Sequence, residues 1–370
     1  MGVVWLAEAR GPGGFVKRCV VKELLPELAR DPHRRAMFLD EASLGARLSH
    51  RNIVQTHEVG CQDGRWFIAL ELLEGCTVRR ATELLGRPMG ASLAVRIVID
   101  VLAALDHAHN LADDHGRPLG IVHRDVSPMN VFLGFDGQVK LLDFGVAKSR
   151  AQREQTREAI AKGSVAYMSP DHIANVPIDR RADVFAAGVL LRELLTGERV
   201  WGTCEDRTIV ARLIAGDVPP FDASAGVAPA LARICEVAMA ADREDRFATA
   251  GNMRKVLEGW LEINDLQGSL AELSDLFDGP LAPERARVRR SHQLSDLGKP
   301  AVPLELSSAD LETDPEAPIG GSPRVSARAA RPRSELFVAG MALVATIAAA
   351  VSIGAAFVDD GQELARVASE

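Results

Sequence analysis

Residues 121–134 read IVHRDVSPMNVFLG, and Asp143-Phe144-Gly145 follows after a second apolar run. The first stretch sets a carboxylate, Asp125, five residues before an amide, Asn130, and the second places another carboxylate thirteen residues beyond that amide. Moving a phosphoryl group onto an alcohol asks for this set. One carboxylate orients the hydroxyl and takes its proton, and oxygen ligands hold the divalent cation that neutralises the phosphates. Asp125 suits the first task; Asn130 and Asp143 suit the second. Polar surface loops also contain Asp and Asn, but two motifs in this order and spacing, each preceded by a strand-like apolar run, are a far more specific pattern.

Composition agrees with a folded enzyme. The 370 residues are 47% hydrophobic and 25% charged, enough for one large core or two domains. A net charge of −8, with no basic patch in the first 260 residues, excludes nucleic acid as an expected partner. Cys19, Cys61, Cys76, Cys204 and Cys235 are odd in number and scattered, which fits reduced thiols rather than a zinc site or a disulfide framework. The N-terminal MGVVWLAEARGPGGF lacks the pattern of a signal peptide.

On the N-terminal side of the loop the chain reads as a small β-rich unit. Residues 3–9 and 15–23 form a predicted hairpin around RGPGG, a helix is predicted over 31–48, and two strands over 54–59 and 66–72. The unit ends near Gly75. Beyond it, a helix over 92–110 and short strands at 131–135 and 139–143 precede a run of amphipathic helices that ends near Glu262. Residues 263–335 turn to Ser, Pro, Ala and mixed charge and read as a flexible linker, with LAELSDLF able to form a short helix that packs elsewhere.

HRD with its Asn, followed by DFG, resembles the eukaryotic-like bacterial Ser/Thr protein kinases, and the likeness runs over residues 2–262. It implies an α+β, two-lobed kinase fold: an N-lobe over 1–74 that lacks its first strand, and a mainly α C-lobe over 75–262. CVVK at 19–22 is similar to the family's strand ending in the phosphate-binding lysine, making that residue Lys22; Glu41 resembles its helix partner. ALELLEG at 69–75 resembles the hinge, with Leu70 as gatekeeper and the Glu71 carbonyl and Leu73 amide as adenine contacts, where side-chain identity matters little. GSVAYMSPD at 163–171 is similar to the segment that closes the activation loop and shapes a peptide site. Asp183 and Arg246 match scaffold residues, Arg246 as the partner of Asp171. The resemblance implies transfer of the ATP γ-phosphoryl group to Ser or Thr of protein substrates, in signalling. ATP and Mg²⁺, with Mn²⁺ as a substitute, are the implied cofactors, the metal held by Asn130 and Asp143. In the segment after Asp143-Phe144-Gly145, Ser149, Thr156 and Ser164 are candidate phosphorylation positions, with Thr156 first among them.

Three features depart from the family. Gly2-Val3-Val4 supplies only the end of the glycine-rich loop, so that Gly2 and Val4 are its remaining nucleotide contacts and a sheet edge is left open; the expectation is a start placed downstream of the natural one, with a degraded kinase as the alternative. Ser127 stands where the family carries Lys, a loss of positive charge that can slow transfer by about 10²- to 10³-fold. Gly45, one helical turn after Glu41, removes a side chain expected to pack on Phe144. A working kinase and a pseudokinase scaffold with weak or no transfer therefore both stay open, and the sequence carries no signal for oligomeric state.

At the C-terminal end, residues 336–358 run 23 positions without a charge, about 35 Å as a helix, which suffices to span a bilayer core. Arg324, Arg328, Arg331 and Arg333 precede it, whereas the tail over 359–370 is mainly acidic. The expectation is a single-pass helix in the cell membrane, in contact with lipid, with the kinase lobes cytoplasmic.

Overall fold

The computed structural model describes residues 2–144, 165–174, 176–221, 226–296, 303–306 and 325–327. Gly145, Ser149, Thr156, Ser164 and the segment 336–358 lie outside them. No helix among the described residues is long and apolar enough to cross a membrane.

The N-terminal hairpin pairs β1 (Gly2–Arg10) with β2 (Val16–Leu24), in a register that sets Val4 opposite Lys22. Strand β2 then pairs with β4 (Arg65–Glu71), itself paired with β3 (Thr56–Gln62). Helix α1 (Pro26–Ala29) is a single turn, and α2 (Pro32–Arg47) starts where the Asp31 carboxylate accepts the His33 N–H. Phe38 and Ala42 of α2 pack against Leu24 and Ile68, so an apolar stripe presses the helix onto the sheet and turns Glu41 toward Lys22.

The sheet edge beside β1 is not left open. Strand β8 (Pro303–Leu306) runs parallel to it opposite Glu8–Arg10, and β9 (Val325–Ala327) follows, giving the order β3-β4-β2-β1-β8-β9. An edge of unpaired N–H and C=O groups is a template for any strand that can reach it.

The second lobe is built around α4 (Ala91–His109) and α6 (Arg181–Thr196), nearly all of whose apolar residues are buried. Before α4 in sequence come β5 (Gly75–Thr77) and α3 (Val78–Leu85); between α4 and α6 come β6 (Val131–Gly134) and β7 (Val139–Leu141), which form a three-stranded sheet with β5, and the single-turn α5 (Pro170–Ile173). Helices α7 (Asp206–Ile214), α8 (Pro229–Ala238) and α9 (Ala250–Ile263) complete it.

The boundary expected at residue 262 is corrected. Two further helices, α10 (Leu270–Asp278) and α11 (Ala282–Asp296), occupy the first half of the expected linker. Leu273, Phe277 and Leu281 are fully buried in the same core as α4. The stretch has the average composition of a linker, yet Leu273, Phe277 and Leu281 fall on the face that meets the C-lobe, while Leu270 stays exposed.

Candidate functional site

The loop 121–130 hangs between α4 and β6, and a buried carboxylate fixes its shape. Asp183, at the start of α6, accepts the backbone N–H of His123 at 2.7 Å and of Arg124 at 2.8 Å, and the Nε2–H of His109 at 2.8 Å. Burial alone would raise its pKa, but His109, His123 and the Arg124 N–H outweigh that and hold it below the usual carboxylate value. His123 Nε2 donates to the Leu142 carbonyl at 2.9 Å, which makes Nδ1 the acceptor for the Asp125 N–H at 3.2 Å. Its ring also lies against Phe144, with 4.6 Å between centroids. Two non-glycine residues here have positive φ, Arg124 at 66° and Asp143 at 44°. Such backbone persists only where surrounding contacts over-determine it, and it clusters at functional sites.

Asn130 donates its Nδ2 to the Asp125 carbonyl at 2.8 Å, leaving its side-chain oxygen as the end able to ligate a cation. Ser127 is 4% exposed, and its carbonyl accepts the Asn130 N–H at 2.9 Å in the turn between the two functional residues. Across the cleft, Lys22 Nζ donates to Glu41 Oε1 at 2.6 Å and to Asp143 Oδ1 at 3.2 Å. Burial pulls the lysine down, but the two carboxylates together outweigh it and raise its pKa above the ordinary value. The Asp143 side chain is about half exposed, at 51%, while Lys22 is 13% exposed. Asn130 and Asp143 thus fit a hard divalent cation by donor type, each with an oxygen at the cleft. Among the described residues no cluster of three or more His, Cys, Asp or Glu forms a separate metal site.

At the hinge, side-chain identity matters more than the resemblance implies: Glu71 Oε1 accepts the Gln55 N–H at 2.8 Å and Lys140 Nζ at 2.6 Å. The side chain therefore ties the end of β4 to β7 of the other lobe. Nothing in GQVKLLDFG marks Lys140 for this, because its partner lies 69 residues away. Leu70 packs partly buried beside Leu24, Phe38 and Ile68, and Leu73 lies between β4 and β5. Gly45 is also reinterpreted. A Cβ there would meet Thr56 Oγ1 at 2.5 Å, so the missing side chain lets α2 approach β3, and Phe144 is buried within the core that includes Leu44 and Leu48.

In the segment 165–171, the Ala166 carbonyl accepts Trp201 Nε1–H at 2.8 Å, and Tyr167 donates its hydroxyl to Glu193 Oε2 at 2.5 Å. Arg246 Nη1 meets Asp171 Oδ2 at 2.6 Å, the pair expected from the shorter Asp in place of Glu.

A β-rich lobe and a helical lobe, joined by one hinge and meeting at a lysine, two acidic residues and an amide, define a two-lobed phosphotransferase fold. The family model for the protein kinase domain matches residues 14–254. The chain belongs to the protein kinase family, among its eukaryotic-like bacterial members. It is 38% identical over 294 residues to the tyrosine-protein kinase MasK of Myxococcus xanthus (strain DK1622), a match covering 78% of this chain and 45% of that protein. To the serine/threonine-protein kinase PknH of Mycobacterium tuberculosis (strain ATCC 25618 / H37Rv) it is 32% identical over 234 residues, 63% of this chain and 36% of that one. The chain spans less than half the length of both relatives. Among solved structures, the PknI kinase domain of Mycobacterium tuberculosis is 25% identical, covering 70% of this chain and 90% of that chain with a TM-score of 0.47.

Proposed function

We propose that this protein transfers the γ-phosphoryl group of ATP to Ser or Thr hydroxyls of protein substrates. The observation that carries this reading is Lys22 held at 2.6 Å from Glu41 and 3.2 Å from Asp143, a contact that joins the two lobes across the cleft. In the reaction the substrate oxygen bonds to the γ-phosphorus, the bond to the β–γ bridging oxygen breaks, and ADP departs. Asp125 orients the hydroxyl and receives its proton. Lys22 holds the phosphates, and Val4, on the strand opposite it, covers the nucleotide. The Leu70–Leu73 segment receives the adenine. Mg²⁺ or Mn²⁺, held by Asn130 and Asp143, would supply the positive charge that offsets the phosphates.

Ser or Thr is favoured over Tyr by the segment ending in Tyr167-Met168-Ser169-Pro170-Asp171. Tyr167 is also the single tyrosine of the chain, and its hydroxyl is taken by Glu193, so self-labelling on Tyr has no ready acceptor. MasK bears a tyrosine-kinase name, which makes the acceptor the point to test. Full-length protein incubated with Mg-ATP should yield phosphoserine or phosphothreonine on itself or on a generic protein. Phosphotyrosine on a generic substrate overturns the choice of hydroxyl. No incorporation at all establishes the scaffold reading, which Ser127 favours.

We further propose that the segment 336–358 anchors the protein in the cell membrane with the kinase lobes in the cytoplasm, facing ATP. Its 23 uncharged residues and the preceding arginines support this. Deleting 335–370 should release the protein into the soluble fraction with its activity retained. Full-length protein that stays soluble without detergent overturns the anchor.

A further inference from the structure

Helices α10 and α11 lie beyond the residues that the kinase family model matches, and they grip the sheet on which the hinge ends. Ser274 Oγ donates to the Phe135 carbonyl at 2.8 Å, and Phe277 meets the Phe135 ring edge-on, with 4.9 Å between centroids. The N–H of the same Phe135 donates at 2.9 Å to the carbonyl of Glu74, the residue next to Leu73 at the adenine end of the cleft. Next to Glu74, Gly75 packs so closely on β6 that a Cβ would lie 1.9 Å from the Leu133 carbonyl. At the hairpin tip, Gly137 has φ 83°, and a Cβ there would lie 2.0 Å from the Leu270 carbonyl, so the first turn of α10 rests on the β6–β7 turn backbone to backbone.

Helix α11 makes the second attachment. Glu284 is 2% exposed and receives Arg80 Nη2 of α3 at 3.3 Å, together with Arg287 of its own helix. Helix α11 packs against β5, the strand that follows the hinge, and burial first, then Glu284 nearby, push the Cys76 thiol of that strand up to about 12. A third contact closes the near end. Ser92 Oγ of α4 accepts the Gly268 N–H at 3.1 Å and donates to Glu272 Oε2 at 2.9 Å.

We propose that residues 268–290 are a brace of the nucleotide hinge, in which Ser274, Phe277 and Glu284 are positioning residues that set where the Leu73 amide meets adenine. The proposal rests on the kinase reading above for the identity of the ligand. The same sheet carries the other end of the cleft, since Asn130 immediately precedes β6 and Asp143 stands two residues after β7. The brace acts on the adenine end because its hydrogen bond reaches Glu74 through a single residue, Phe135. It touches neither Asp125 nor Lys22. Loosening it should therefore weaken nucleotide binding while leaving the chemical step alone.

The test uses the full chain and titrates a non-hydrolysable Mg-ATP analogue calorimetrically, beside the KM for ATP and kcat. Ser274→Ala, Phe277→Leu and Glu284→Gln should each weaken analogue binding and raise KM by about 3- to 10-fold, the effect of losing roughly one hydrogen bond, with kcat within about 2-fold. Ile209→Val, a core change in α7 far from the hinge, serves as the control for mere loss of stability; it should lower the melting temperature without moving affinity. Unchanged affinity in all three brace variants overturns the proposal while the kinase reading stands. If the wild-type chain binds the analogue but transfers no phosphate, the transfer reading fails and the affinities still decide the brace. A wild-type chain that binds no nucleotide overturns both.

Discussion

The surroundings of Asp183 and of Asp143 use the same chemistry, a carboxylate facing nitrogen donors, in opposite settings. Asp183 is 1% exposed, receives three hydrogen bonds of 2.7–2.8 Å, and lies wholly inside the C-lobe. Asp143 is half exposed, and its one described ion pair, to Lys22 at 3.2 Å, crosses from one lobe to the other. The first arrangement is complete before any ligand arrives, so it fixes the backbone of the catalytic loop. The second leaves a carboxylate and an ammonium at the cleft surface, where phosphates and a cation can take over their bonding. On the proposed function, rigidity sits where Asp125 has to be aimed, and exchangeable contacts sit where ligand has to enter.

The strongest way to break this contrast is Asp125→Asn. It should lower phosphate incorporation by about 10²- to 10⁴-fold while the melting temperature stays put, because Asp125 is aimed by the rigid region but does not hold it up. A melting temperature that falls along with the rate would make Asp125 part of the scaffold.

Asp183→Asn should do the opposite first. Removing the charge from a fully buried group facing a histidine should cost about 3–5 kcal/mol of stability, read from urea unfolding, whereas Asp143→Asn should cost less than about 1 kcal/mol. The pH dependence separates them further. The Asp183 carboxyl is depressed in the fold, so its contribution is present above the unfolded value near 4 and is lost as pH falls through the lower folded value. Wild-type protein should therefore lose stability on acidification below about pH 4, and Asp183→Asn should lack that part of the loss.

Ser127→Lys sharpens the contrast from the catalytic side. Restoring a cation beside Asp125 should raise the transfer rate, by up to about 10²-fold, if the serine is what slows the enzyme. A rate that falls instead would mean that the tight Ser127–Asn130 turn has no room for the longer side chain. The last effect, on stability alone, is at Gly45. Gly45→Ala should destabilise by about 1–3 kcal/mol because the new methyl meets the Thr56 hydroxyl, and Thr56→Ala in the same chain should recover most of it. Thermal melts of the two variants decide whether close approach of α2 and β3 is the reason for that glycine.

Much of the site was legible because kinase chemistry draws on short, ordered motifs. HRD with Asn130 and the Asp143 motif could be read locally, whereas Lys22 in CVVK and Glu41 were chosen by their place in the order that the resemblance to the kinase family implies. The brace was legible only in its first helix: LAELSDLF reads as a short helix able to pack elsewhere, and α10 is that helix. LAPERARVRR has the charge and proline content of a linker, and only the placement of Leu281 and Glu284 against a surface built by residues far earlier in the chain makes it a packed element. The Glu71–Lys140 tie was hidden for the same reason.

By itself, then, the sequence determined the chemical inventory: which carboxylates, which amide, which lysine, and the alternation of apolar positions that makes two lobes. Tertiary structure alone decided that α11 packs on beyond residue 262, what occupies the sheet edge beside β1, and what the hinge is fastened to. The physical reason is one of range. Periodicity and motif spacing report on contacts within a few turns of chain, whereas the burial of Phe277 against Phe135 joins residues 142 positions apart, and no local pattern encodes a surface that does not exist until the rest of the lobe has folded.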